Sequence, residues 1–391
     1  MLGQRPPPGI HAMHSEPTYL AARMVAPALA AHFAEHRAAA VERGALDLPP
    51  VPPAALIEAV IDIAFWASLR REEGRPPRIS LTLLGPDEAA QPLIFGHRLR
   101  LTPHALTKLA PAVEHPGIHL GIVYEPADES LYVWGTVSQV PPLGFVLEVV
   151  EPGLLVVKHR RADGYGKFLN VAVLRGDLVK IVDEDNSGLA ELPELRDSLP
   201  PNFDPTATVV LLVELGRAMR AHGRGGLVLL VPAGSDAWRE SVVHPLSYPV
   251  EPPYRGVAAQ LAAPGPHNSP NWSAELLRHI EIIGGFTAVD GATVLVRGTQ
   301  ELLAFGTKVT RRAQGTPVEE IILTEPVLGS TPQRLHPAQN GGTRHLAAAQ
   351  FVHDQHDSVA LVASQDGNFT VFRWSKALQV VHAHRIDVLL L

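Results

Sequence analysis

The chain has 391 residues, of which 46% are hydrophobic and 19% charged, with a formal net charge of -7. That is a globular composition with material for an ample core, and it lacks the broad basic field that nucleic-acid binding over a whole surface requires. There is no cysteine, so disulfides, thiolate nucleophiles and Cys-ligated zinc are excluded.

Residues 1–17 read as a flexible lead-in without the hydrophobic segment of a secretory signal. No run of about 18 apolar residues occurs, so no membrane partner and a cytoplasmic location are expected. Thr18 to Arg43 is Ala-rich and reads as a helix stopped at Gly44. LDLPPVPP is a proline-stiffened connector. Ala54 to Arg71 reads as a second helix, with Leu56, Ile57, Val60, Ile63, Ala64 and Leu69 on one apolar stripe. Arg78 to Leu84 alternates as a strand does. From Ile118 to Val182, short apolar runs recur between Gly and Pro turns, the pattern of an antiparallel β-rich unit. The polar stretch from Asp183 to Pro205 holds the expected domain boundary, with proteolysis expected near Asp185–Pro201. The predicted organisation is a flexible 1–17, an N-terminal α+β domain over 18–190 and a second domain over 200–391.

In the second domain, Thr206–Val231 reads as a helix leading into the strand of GRGGLVLLV. Asp290 and Gly291 then precede a buried strand, Ala292 to Val296, where a turn can present a carboxylate beside open backbone. Gly341, Gly342 and Thr343 precede an Ala-rich helical run, Leu346 to Gln350. Free N–H groups there, with the Thr343 hydroxyl, Arg344 and His345, form a plausible anion or phosphate cradle. Cations are disfavoured at a helix N-terminus, so Arg344 and His345 call for a compensating anion. Ser358 to Ser364 is a further buried strand, and Gln365-Asp366-Gly367 a turn.

The motif pair Asp290-Gly291-Ala292 and Gly342-Thr343-Arg344-His345, about 50 residues apart and each beside its strand, resembles the diadenylate cyclase (DAC, DisA_N-like) superfamily. Leu346 stands where that family has a second arginine. Ser364-Gln365-Asp366-Gly367 replaces its Ser-Glu-Glu turn in shortened form. The resemblance covers roughly the C-terminal half. It implies an α/β (α+β) fold whose C-terminal domain has a mixed central sheet flanked by helices. FWASLRREEGRPPRISLTL, from Phe65, and PHALTKLAPAV, from Pro103, are similar to segments of the probable DAC-like sensor domain DACNV, inferred to sense nucleotides in prokaryotic signalling or conflict systems.

By that resemblance Asp290 is the metal ligand, and the catalytic base if the site is active. Gly291, Ala292, Thr343, Arg344, His345 and Ser364 contact an adenine nucleotide, ATP or a cyclic dinucleotide. The metal is Mg or Mn, with Asp366 a second candidate ligand. In the family, two such domains face each other, so a homodimer and an effector protein are the partners implied. Without the second arginine and one carboxylate, binding survives better than turnover, so the expected function is that of a sensor. The alternatives are a working diadenylate cyclase and an interaction module without ligand.

Other groupings carry less. His115 with His119, and His353, Asp354, His356 and Asp357, have spacings a metal could use, but short His spacings are common by chance. Arg70, Arg71, Arg75 and Arg78 read as a solvated helix end beside Glu72 and Glu73, or as a phosphate-contacting patch. No Gly-x-Ser-x-Gly elbow and no Walker-type Gly-Lys-Ser/Thr is present.

Overall fold

The computed structural model describes residues 18–160, 168–183, 205–263 and 270–391. The expected flexible lead-in and the cleavage region near Asp185–Pro201 lie outside the described residues. The chain falls into two compact units, one within residues 1–182 and the other within residues 183–390. Both combine helices with a mixed sheet, as expected for an α+β protein. Among the described residues, no helix is long and apolar enough to cross a membrane.

The first unit contains α1 (Leu20–Glu42), α2 (Ala54–Ser68) and α3 (Pro103–Leu109). Its strands are β1 (Ile79–Leu83), β2 (Leu93–Arg100), β3 (His119–Glu125), β4 (Ser130–Val137), β5 (Val146–Glu151), β6 (Leu154–Arg160), β7 (Phe168–Arg175) and β8 (Leu178–Ile181). They form one sheet in the order β2-β4-β3-β1-β5-β6-β7-β8. From β5 to β8 it is an antiparallel meander, as the short apolar runs predict. β1 and β3 pair in parallel, because the chain between them carries β2 and α3 and returns to the starting end.

Alternation along the strands aims one set of side chains at the helices. Leu81, Leu147, Leu155 and Val157 join Leu29, Phe33, Ile57, Ile61 and Leu106 in one core. The opposite face holds a smaller cluster around Trp134, Val137 and Val146. Trp134 donates its indole N–H to the carbonyl of Leu84 at 2.8 Å. Its ring covers Gly121 so closely that a Cβ there would stand 2.3 Å from it.

The second unit contains α4 (Pro205–Ala221), α5 (Gly256–Ala262), α6 (Pro270–Phe286) and α7 (Thr343–Asp354). Its strands are β9 (Gly226–Val231), β10 (Tyr248–Tyr254), β11 (Ala292–Val296), β12 (Leu302–Thr307), β13 (Ile321–Thr324), β14 (Gln333–Leu335), β15 (Val359–Ala363), β16 (Phe369–Ser375) and β17 (Val380–Arg385). Their order is β10-β12-β11-β9-β15-β16-β17-β13-β14. β9 is parallel to β11 and antiparallel to β15.

The central strands β9, β11 and β15 are buried along their whole length. Such strands read as unbroken apolar runs because both sheet faces are covered. Val228, Leu230 and Leu361 pack with Leu215, Met219, Ile280 and Ile283 on the side of α4 and α6. Leu229, Val294 and Ala360 pack with Ala348, Phe351 and Val352 of α7 on the other. The result is three layers, with helices flanking a mixed central sheet.

Candidate functional site

Strand register fixes which residues share an end of the second sheet. Ala292 pairs with Leu227 and with Thr307, and Gly226 pairs with Ala363. The residues just outside these pairs are therefore neighbours: Asp290 and Gly291 before β11, Lys308 after β12, Arg224 and Gly225 before β9, and Ser364 to Asp366 after β15. The N-terminus of α7 reaches the same end. A Cβ on Gly225 would lie 3.1 Å from Arg344 Nη1 and 3.0 Å from the Ala363 carbonyl. The Arg344 guanidinium thus sits over Gly225. Two motifs distant in sequence meet because α7 runs away from this end and β15 returns to it.

Asp290 is solvent-exposed and accepts an ion-paired hydrogen bond from Lys308 Nζ. That bond first, then the charges of Lys308 and Arg344, hold its carboxyl below the usual range. The Asp290 backbone is followed by Gly291 at φ +112°, where a Cβ would stand 2.5 Å from the carbonyl carbon of Gly306. Ala292 is fully buried at the start of β11 and contributes to the core. Thr343 is exposed on the first turn of α7 and Arg344 is half-buried.

His345 has a different environment from its neighbours. It is buried, its ring meets Phe372 edge-on at 6.0 Å, and it lies against the backbone of Gly341. Burial, helped by the Arg385 charge, lowers its pKa to about 4. A neutral, buried imidazole supports the start of α7. The Ser364 hydroxyl accepts the Asn368 N–H at 3.1 Å and closes the turn after β15. Gln365 reaches across to the Arg224 carbonyl at 3.4 Å. Asp366 is exposed on that turn.

Three nearby residues escaped the sequence reading. Lys308 becomes visible only through the antiparallel pairing of β11 with β12. Arg224 is half a signal in the GRGG run. His222 contacts the Thr287 hydroxyl at 3.0 Å, and burial together with Arg224 and Arg344 lowers its pKa. The charges gathered at this end are thus one carboxylate on Asp290 beside Lys308, Arg344 and Arg224, with Asp366 on the adjoining turn. Cations in that excess, next to a helix N-terminus and glycine backbone, suit an oxyanion.

Most of the other sequence candidates are engaged in local contacts. Asp354 accepts the Arg312 N–H at 3.1 Å and a Gln350 side-chain N–H at 3.1 Å. His356 stacks on Trp374 with ring centroids 3.8 Å apart. They lie at the opposite end of the sheet, where a cleft is lined by Arg297, His356, Arg373 and Trp374. His119 is buried and bonded to the Ser80 hydroxyl at 2.7 Å, and its pKa is lowered to about 4. Arg71 donates to the Gly74 carbonyl at 2.9 Å, and Glu72 pairs with Lys108 at 2.8 Å. Arg75 and Arg78 are exposed. Arg334, a conceivable substitute for the missing family arginine, sits in the edge strand β14 and pairs with Glu320 at 2.6 Å.

The buried histidines set a pH dependence. His345, His382 and His384 of the second unit and His119 of the first all have lowered pKa values, mainly by burial. A folded pKa below the unfolded 6.5 makes the neutral ring the stabilised form. The contribution is full above pH 6.5 and is lost as pH falls towards about 4. Each proton taken up on unfolding adds about 1.4 kcal/mol per pH unit to that loss. His222 and His356 of the second unit are lowered as well, so among the described residues with such shifts most lie in the second unit, which should lose stability more steeply than the first between pH 6.5 and 4. Hydrogen exchange across that range measures it, and His384→Gln should flatten the second unit's profile. Equal slopes in the two units would contradict this.

Residues 46–138 match the family described as Probable sensor domain DACNV. The match runs from the connector before α2 through β4. It includes both segments, from Phe65 and from Pro103, whose resemblance to that domain is legible in the sequence. No curated protein matches the chain.

Proposed function

We propose that the second unit binds the phosphates of an adenine nucleotide, ATP or a cyclic dinucleotide, at the sheet end formed by Asp290, Gly291, Arg344 and Lys308, and that the chain acts as an intracellular nucleotide sensor. A probable sensor domain in the first unit supports the sensor role. The observation that carries the ligand class is the convergence of the Asp-Gly-Ala and Gly-Thr-Arg-His motifs on one sheet end, with Arg344 laid over Gly225. In this reading Arg344, Lys308 and the N–H groups at the start of α7 hold phosphate oxygens, and Thr343 adds a hydroxyl. His345 keeps the helix start in place from below. Ser364 shapes the adjoining turn.

A divalent ion is compatible with the donor set. Asp290 offers an exposed carboxylate, Asp366 a second one on the next turn, and oxygen donors suit Mg²⁺ or Mn²⁺. Bound there with a nucleotide, the ion would neutralise phosphate charge. Lys308 would then exchange its bond to Asp290 for one to a phosphate.

ATP with Mg²⁺, and cyclic di-AMP without it, are the two ligands to titrate by calorimetry and thermal shift. At about 100 times Kd a ligand adds about 2.7 kcal/mol of stability, a readable rise in Tm. Arg344→Ala removes a charge-assisted bond worth about 1.5–3 kcal/mol, so binding should weaken roughly 10- to 100-fold. Equal dissociation constants in the two proteins would exclude the phosphate role of Arg344. Absence of binding by either ligand would favour an interaction module.

A further inference from the structure

The sequence offers His32 and His36 four residues apart in α1, which places them on one helix face. Strand β6 alternates, so Leu155 and Val157, which pack on the helices, share their face with His159. The three imidazoles meet there. Their ligand nitrogens all lie within 4.8 Å of one another. His32 Nε2 and His159 Nε2 are 3.2 Å apart.

The tautomers are set by the backbone. His36 Nδ1 is 3.0 Å from the His32 carbonyl and His159 Nδ1 is 2.8 Å from the Arg160 carbonyl. A carbonyl only accepts, so both Nδ1 atoms carry the proton, which leaves Nε2 as the ligand nitrogen of each ring. Such a bond from the distal nitrogen to a carbonyl is how metal-binding histidines are oriented. The rings stand on an apolar floor: Phe33 meets His32 and His159 edge-on, at 5.7 Å in each case, with Phe145 beyond.

We infer that His32, His36 and His159 form a binding site for a divalent late transition metal, zinc first, in the N-terminal unit. With Zn–N bonds of 2.0–2.1 Å, the N···N edge of a tetrahedral site is about 3.3 Å, against the 3.2 Å between His32 and His159. His36 is half-buried and completes the group within the 4.8 Å that the three ligand nitrogens share. Imidazole ligands suit Zn²⁺, Cu²⁺, Ni²⁺ or Co²⁺. They do not suit Mg²⁺ or Ca²⁺, which take oxygen. A tetrahedral ion held by these three takes one further donor, a protein group, water or an anion. Binding ties α1, which lies before the matched sensor segment, to the sheet.

The test uses the full chain stripped by a chelator and titrated with Zn²⁺ against a chromophoric competitor. One tight equivalent is expected. His32→Ala and His36→Ala should each weaken it at least about 100-fold, the upper end of what loss of a mere supporting contact costs. His353→Ala, in the other unit, serves as control and should leave the affinity unchanged. Co²⁺ should give the strong visible bands of a tetrahedral centre in the wild type and lose them in the two variants. Circular dichroism of the metal-free variants checks folding, and the half-buried position of His36 makes His36→Ala the safer one. No tight equivalent, the same affinity in both variants, or an octahedral Co²⁺ spectrum would each overturn the site.

Discussion

Incubated with ATP and Mn²⁺ or Mg²⁺, the protein should form little or no cyclic di-AMP. In the family it resembles, the reaction needs two nucleotides face to face with charge neutralised around both triphosphates. Here the helix that begins Thr343-Arg344-His345 continues with Leu346, whose side chain is 39% exposed where a second guanidinium is expected. A charge-assisted bond from that position is worth about 1.5–3 kcal/mol. Gln365 in place of a carboxylate adds a further deficit. At about 1.36 kcal/mol per decade of rate, the two together amount to roughly two to four orders of magnitude. The parts of such a constellation act as a unit, so partial compensation restores little. Arg334 does not compensate, because it is held by Glu320 at the sheet edge. Mass spectrometry of the reaction products decides the matter. Robust cyclic di-AMP formation that vanishes in Asp290→Asn would replace the sensor with a working cyclase.

Gly291→Ala should destabilise the second unit by about 2–6 kcal/mol. Two effects combine. Gly291 has φ +112°, a region where an L side chain is strained by about 1–3 kcal/mol. The added Cβ would also lie 2.5 Å from the carbonyl carbon of Gly306, which is backbone and cannot rotate away. Overpacking of that kind costs about 1–3 kcal/mol. The distortion would move Asp290, so nucleotide binding should fail with it. Gly285→Ala makes the contrast: Gly285 is exposed near the end of α6 with nothing within 4 Å of its Cβ position. Exchange there should stabilise by about 0.5–1 kcal/mol through helix propensity. Urea unfolding of both variants reads the opposite signs. Near-equal midpoints would show that the turn before β11 is more plastic than its geometry implies.

Much of this protein is legible in the chain itself. Ala292–Val296 and Val359–Ala363 are strands because unbroken β-branched and apolar runs of that length bury both faces. α2 begins where Pro53 ends the stiff connector, and β5 to β8 follow their turn signals. The resemblance of Phe65–Leu83 to a sensor domain is carried by local strings, which is why it survives without any tertiary information. Local chemistry also marks Arg344, since a cation at a helix start runs against the ordinary preference.

Other features are properties of pairing and packing alone. His345 and Arg344 are adjacent in sequence, yet one ring is buried on Phe372 and the other side chain lies over Gly225. Helix rotation separates neighbours by 100°, and only the sheet beneath decides which of them is covered. Lys308 meets Asp290 because β11 and β12 are antiparallel, and no spacing reports that register. His32 and His36 show a helix period in the sequence, but His159 joins them through the fold of α1 onto β6, more than a hundred residues on. Sequence periodicity determines what faces inward. Long-range strand order determines which inward or end-facing groups meet, and those meetings make both proposed sites.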